Sequence, residues 1–549
     1  IEFEGFIMSA RAQRDKSRYV IHVDAYTKDV VLEDAPYCKV YNETKLDEIV
    51  KSTLDAYKIT GSKIASRLKE PIFYTCRFYE KSYDFLRRLA CRHGEWLYNT
   101  GKGIFFGNLS DREVVQLSYP SQDIPYYGIR MDVRNLNRNH VSCAYNERRK
   151  AVSYNVKEQY QDTESPLLNA SAHASFDIYK LSLPSVPLPS GMESDDDVDN
   201  GQDNLNKPVH SEEYLQNFME NFVNAVVYEG KTFCSKLRVG YALNIKDNFI
   251  SSADSNEKSQ VNELTFTITR ITHSFTASET YSNLFEGVTG KSVYPPYHDA
   301  TIYPVCNHPV RAVVTDTEDP KKWGRVKVRF LWQGNRDDGD KKNKVTPWIF
   351  VAQPYNWQQD DGRYAGTHVI PDVDSTVIVD FENGNAERPY VRSAVPSMYE
   401  AIDEAWYEGK NTVKAIRTRS GHTIEIHDKT DGSSSNGGFI KIYDHKADHY
   451  IVTLSTDQKL IKLESAGDIV LTAKGNITMK AGAGVNVSAG GEISESAGSN
   501  ISQSASGGIS SSAGGDISQS AGGNLSIDAG GNMVAYINGD KEYAGGEAK

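Results

Sequence analysis

The 549-residue chain contains no run of about 18 apolar residues, so nothing in it is expected to span a bilayer. It shows no signal-peptide layout, and because it begins at Ile1 rather than methionine the natural N-terminus is expected to lie further upstream. Cysteine is sparse: Cys38, Cys76, Cys91, Cys143, Cys234 and Cys306 are scattered singly, with no CxxC pair. That spacing speaks against a disulfide scaffold and favours reduced thiols in a protein made in the cytoplasm. Basic residues are outnumbered, 61 Lys and Arg against 73 Asp and Glu. The resulting net charge of -12 argues against nucleic acid as a main partner, since phosphate binding wants a basic face. GxSxG, HExxH and P-loop motifs are missing. His422, His427, His445 and His449 lie close in sequence, but their spacings match no common zinc pattern, and they are expected to be ordinary strand histidines. The acidic run MESDDDVDNGQDN (192–204) lacks the ligand spacing of an EF-hand and is expected to be a solvated loop. No catalytic constellation, cofactor site or confident metal site emerges.

A chain this long needs about three or four cores, and its 32 tyrosines suit β-rich structure. The most informative stretch is the poorest one. Residues 490–532, GGEISESAGSNISQSASGGISSSAGGDISQSAGGNLSIDAGGN, hold no lysine or arginine and few bulky apolar groups, a composition typical of a flexible linker. Its aliphatics nevertheless keep a period of eight, Ile493, Ile501, Ile509, Ile517 and Leu525, and the register extends back through Val485, Ile477, Ile469 and Ile461 and forward to Met533. Alanines from Ala473 to Ala529 form a second column four residues behind. Each octad is expected to be a short strand and a glycine corner at positive φ, with residues i, i+2 and i+4 on one face.

A single octad cannot hide its aliphatic, so the repeat must stack into a solenoid. Either one chain winds three octads per turn or three chains intertwine. The small side chains imply a thin interior, which favours a homotrimer with Ile469 to Leu525 as its core. At roughly 4.8 Å per layer, the ten aliphatic positions from Ile461 to Met533 make a rod on the order of 50 Å long. Two residues after each aliphatic, Leu463, Leu471, Met479 and Val487 give way to Glu495, Gln503, Ser511 and Gln519 before Ile527. If these face the axis, three Glu495 carboxylates meet in a confined space, which is costly unless they are protonated, hydrated or bound to a cation. An axial ion or water at Glu495, Gln503 and Gln519 is one expectation, and a local twist that turns the column outward is the other. Met533, Ala535, Tyr536 and Ile537 break the octad with larger apolar groups and are expected to dock a capping partner.

Upstream, PVRAVVTDTEDPKKWGRVKVRFLW (309–332) reads as a hairpin with a turn from Asp319-Pro320 to Gly324. With TPWIFVAQPY (346–355) and GTHVIPDVDSTVIVDFENGNAERPYV (366–391), it suggests a small closed barrel of about five strands. Residues 1 to about 290 are mixed. Helices are expected after Thr44, Ser82 and Ser211 as caps. Strands are expected at Glu263–Thr269 and Ile271–Ala277.

The segments TDTEDPKKWGRVKVRFLW, WIFVAQPY and VIVDFENGNAERPYV resemble the VgrG spike proteins of type VI secretion systems, kin of the hub and spike proteins of contractile phage tails. RFYEKSYDFLRRLACRHGEWLYNTGKGIFFGN (77–108) is similar to that family's hub. The resemblance implies a mainly β chain. Its expected parts are an α+β phage-hub-like domain at 1–295, lacking its first residues, then an OB-fold barrel at 296–400 and a connector β segment at 401–460. An octad-repeat β-helix or prism needle at 461–540 and a polar tail at 541–549 follow, with no toxin domain beyond. It further implies a non-enzymatic trimer on an inner-tube (Hcp-like) hexamer, with baseplate proteins, a PAAR-type tip protein and effectors as partners. Such a particle assembles in the cytoplasm and is then ejected, without stable membrane insertion. A trimeric β-prism adhesin or glycan-binding fibre is the alternative. It would want a signal peptide and aromatic platforms near the rod's end.

Overall fold

A computed structural model gives the fold of most of the chain. Outside its description lie residues 1–3, 134–138, 147–150, 159–165, 180–222, 248–262, 277–280, 290–294, 296–303, 334–341, 397–402, 408–410, 429–437, 445–448 and 535–549, with 17, 110, 111, 307, 362 and 533. The helix expected after Ser211 and the run 192–204 fall among them. The rest is mainly β and divides into two units, residues 1–404 and 405–549.

The first unit opens with a two-stranded ribbon, Gly5–Asp15 against Arg18–Thr27. The strands Tyr37–Lys45 and Pro71–Glu80 then pair antiparallel and support the helices Leu46–Ala56 and Ser82–Arg92. Ile49, Val50 and Leu54 of the first helix pack with Phe85, Leu86 and Leu89 of the second. Neither expected cap holds. Thr44 is still in its strand, its hydroxyl donating to the Asn42 carbonyl at 2.7 Å. Ser82 is the first helical residue, and its N–H, without an intrahelical partner, donates to Asp34 at 2.8 Å. A six-stranded sheet follows, in the order Val114–Tyr119, Ala242–Asp247, Glu263–Phe275, Tyr281–Thr289, Val226–Thr232, Tyr126–Met131. Its third strand is continuous where two were expected. A bulge between Ile268 and Arg270 bends it without ending the ladder.

The barrel closes on itself. Lys327–Phe330, Val310–Asp316, Thr376–Phe381 and Pro389–Ala394 pair in that order. The segment 349–351 joins the two ends, because Ile349 exchanges both backbone hydrogen bonds with Val326 at 2.9 Å while Val391 bonds Phe350 and Ala352 at 2.8 Å. Ala312, Val314, Val328, Phe330, Val377, Val379 and Val391 alternate inward as its core. Closure leaves no free edge in this small sheet.

The second unit begins with a five-stranded antiparallel meander: Val413–Arg417, Thr423–His427, Phe439–Tyr443, Tyr450–Ser455, Leu460–Ser465. Beyond it the octads are extended segments of six residues separated by two-residue bends, at 466–467, 474–475 and so on to 530–531. Among the described residues no octad pairs with another, and no backbone–backbone hydrogen bond is made from 468 to 532. The corners were expected to use glycine at positive φ. None of the octad glycines does so. A Cβ at Gly475, Gly491, Gly507 or Gly523 would meet nothing within 4 Å of the same chain.

Candidate assembly interfaces

The barrel is locked to the helical layer by one buried carboxylate. Glu387, within the barrel motif FENGNAERPY, accepts from Thr75 Oγ1 at 2.5 Å, from Arg88 Nη1 at 3.4 Å and from Arg92. Arg88 and Arg92 are four apart and share the side of their helix that carries Leu89. Arg88 is fully buried and also forks onto Glu80, at 2.7 and 2.9 Å. Burial alone would raise the Glu387 carboxyl, but the Arg92 and Arg88 charges outweigh it and hold it below the usual range. Around this cluster Val40, Tyr74, Cys76 and Phe78 join the barrel core, with the Phe78 and Phe381 rings 6.0 Å apart. Asn42 adds hydrogen bonds to Asn343 and the Val345 carbonyl, both 2.8 Å.

A second buried pair supports the helix start. Asp34 accepts from the Ser82 hydroxyl at 2.9 Å, from Tyr57 and from fully buried Arg77 at 3.2 Å. Within the barrel, Asp319 organises the hairpin turn. It accepts from the N–H groups of Lys321 and Trp323 and from both arms of Arg325, at 2.8–3.0 Å. These bonds overcome its burial and bring its pKa down to about 2. Gly324 completes the turn at φ +73°, a conformation that favours glycine.

In the meander, Glu425 is buried among Trp406 Nε1 at 2.7 Å, His427 Nε2 at 3.0 Å and the Tyr443 hydroxyl. Burial raises its carboxyl, yet these hydrogen bonds hold it below the ordinary range. The Arg417 guanidinium lies 4.2 Å from the Trp406 ring centre. The histidines are dispersed. His422 bonds Tyr450 at 2.7 Å, His449 bonds Asp444 at 2.6 Å, and His445 lies outside the described residues.

The proposed core column lies along the octads at one position of every six-residue segment, with Ile469, Ile477, Val485, Ile493, Ile501, Ile509, Ile517 and Leu525 between 54% and 61% exposed in the single chain. Glu495, Gln503 and Gln519 share their side by alternation and are exposed too. Of the docking group, Met533, Ala535, Tyr536 and Ile537 lie outside the described residues.

Residues 310–396 match the family model described as the type VI secretion system/phage-baseplate injector OB domain. The chain is also 31% identical over 150 residues to the Pseudomonas aeruginosa type VI secretion system spike protein VgrG1a, covering 27% of this chain and 21% of that one. The chain is VgrG-like. A second P. aeruginosa spike protein, VgrG1b, is 28% identical over 169 residues, 30% of this chain and 20% of its own. The match thus spans about a fifth of the length of these curated relatives. Among solved structures, similarity extends to an Escherichia coli type VI secretion component with structural similarity to the phage T4 tail proteins gp27 and gp5. That pair is 15% identical, covering 71% of this chain and 83% of the other, with a TM-score of 0.39. A Francisella PdpA-VgrG complex gives 10% identity, 83% and 67% coverage and a TM-score of 0.47.

In this VgrG-like chain the residues that sequence reasoning missed are Asp34, Arg77, Arg88, Arg92 and Glu387. One signal for them was present. Two arginines on the buried side of an otherwise apolar helix stripe require a carboxylate partner, and Glu387 sits inside a motif already singled out.

Proposed function

We propose that this chain is one protomer of a trimeric, non-catalytic spike of a contractile injection machine. The observation that carries the reading is an injector OB domain in the same chain as octads whose backbone finds no partner within it. Unpaired strand groups at this density are stable only when other strands supply the hydrogen bonds. Identical copies supply them in register by symmetry. The octad glycines agree with this, since they leave room that nothing in their own chain fills.

In this reading the N-terminal layers form a hub on a hexameric Hcp-like tube, held by baseplate proteins. Residues 461–540 form the needle, and Met533, Ala535, Tyr536 and Ile537 receive a PAAR-type tip. The polar column at Glu495, Gln503 and Gln519 holds axial water or an ion. The particle assembles in the cytoplasm, and contraction drives it through a target envelope together with effectors. An intertwined needle suits that load, since its chains cannot leave singly. Among the described residues no helix is long and apolar enough to cross a membrane.

Co-assembly of the full chain with the hexameric tube protein of its source organism tests this role. Electron micrographs are expected to show one spike at an end of each tube. Tubes with bare ends beside free trimers would favour a fibre over an injector.

A further inference from the structure

Three thiols from separate parts of the chain gather at the seam between the barrel and the strands Tyr37–Lys45 and Pro71–Glu80. Cys38 shares its side of the strand with Val40, and Cys76 stands opposite Val40 on the partner strand. Both pack into the barrel core, which also holds Cys306. All three are unbridged. Cys76 is 1% and Cys306 4% exposed, whereas Cys38 is half-buried and open to solvent.

The backbone around Cys38 is unusual. Lys39 pairs with Arg77 but Tyr37 pairs with Glu80, so Phe78 and Tyr79 bulge against Cys38 alone. Tyr79 takes φ +50°, a left-handed conformation that costs a bulky residue energy. What this strain provides is a donor aimed at sulfur: the Tyr79 N–H reaches Cys38 Sγ at 3.3 Å. Such a donor favours the thiolate, the nucleophile of disulfide chemistry. Across the seam, Cys306 is fixed where the chain enters the barrel, its N–H bonding the Gly384 carbonyl at 2.7 Å. That turn follows Phe381, whose ring lies 6.0 Å from Phe78 of the bulge. Burial pushes the Cys38 thiol up, the Tyr79 N–H opposes it, and Cys306 is near enough to add to the rise. Burial raises Cys76 well above the ordinary thiol range, which keeps it out of exchange.

We propose that Cys38 and Cys306 form a redox latch between the helical layer and the barrel, open as two thiols and closed as a disulfide. In closing, the Cys38 thiolate attacks a small-molecule disulfide such as oxidised glutathione, expelling one thiolate and leaving a mixed disulfide. Cys306 then gives up its proton, attacks Cys38 Sγ and expels the second. The protein loses two electrons and two protons, and the reagent is reduced to two thiols. The closed latch joins positions far apart in the chain and so restricts the unfolded state. The latch goes beyond the spike reading and stands without it. That reading gives it a setting, since a chain made in the reducing cytoplasm closes only on reaching an oxidising compartment.

The test incubates the full chain with oxidised glutathione at neutral pH without denaturant, blocks remaining thiols with N-ethylmaleimide in denaturant, and maps peptides without reduction. Cys38 joined to Cys306 within one chain, with Cys76 blocked as a thiol, is the expected result, and dithiothreitol is expected to reverse it. The oxidised chain is expected to unfold at a higher urea concentration than the reduced one. Cys38→Ala and Cys306→Ala should each abolish that difference, and Cys76→Ala should leave it. Glutathione retained on Cys38, a bridge from Cys38 to Cys76, a link between chains, or both thiols intact after oxidation overturns the latch. A bridged chain with an unshifted urea midpoint overturns its stabilising role.

Discussion

Among single residues, Glu387 carries the largest consequence. It is buried, it serves two arginines on another layer, and removing one partner from such a cluster leaves uncompensated charge in a low-dielectric site. Glu387→Gln is expected to lower unfolding free energy by about 3 kcal/mol in denaturant titration at neutral pH. The pH dependence has a definite sign. Because the folded carboxyl lies below its ordinary value, its contribution is complete above about pH 4.3, the unfolded value. It is lost as pH falls through the lower folded value. The gap between parent and variant should therefore narrow on acidification below about pH 4.3. A gap that is constant down to pH 2 would mean the carboxylate charge does no stabilising. Asp319 follows the same sign, with its contribution falling away between about pH 4 and pH 2.

The elements differ in how far the sequence discloses them. The octads are legible because an eight-residue period survives in composition alone, and the barrel hairpin because Asp319, Pro320 and Gly324 announce the turn. The caps were misjudged for a physical reason. A serine or threonine before an apolar stripe is a local signal, but the donor at Ser82 is met by Asp34, 48 residues away, as Arg88 meets Glu387 across 299. Along the octads, the side shared by Ile493 and Glu495 sets the sharpest element-level prediction. If that side faces the axis, Glu495→Gln removes three converging charges. The variant is then expected to melt several degrees above the parent at pH 8 and no higher at pH 5, by scanning calorimetry. Identical melting at both pH values would place the column in solvent.

For the whole molecule, the central claim is that one chain is a third of a spike. Two features of the protomer demand company: the exposed aliphatics Ile424, Ile426, Ile440 and Ile442 of the meander and an octad run with no backbone–backbone hydrogen bond from 468 to 532. The first is the mark of an interface, and the second is expected to hold a regular extended form only where other strands pair with it. The N-terminal helical layer and the barrel, by contrast, hold dense cores within one chain and should fold without help. The most direct measurement is negative-stain electron microscopy of the purified full chain, paired with its native mass. Three copies of the 61.1 kDa chain, seen as a three-fold head with one thin needle on the axis, is the predicted result. A native mass of one copy, with heads that carry no needle, would contradict the account.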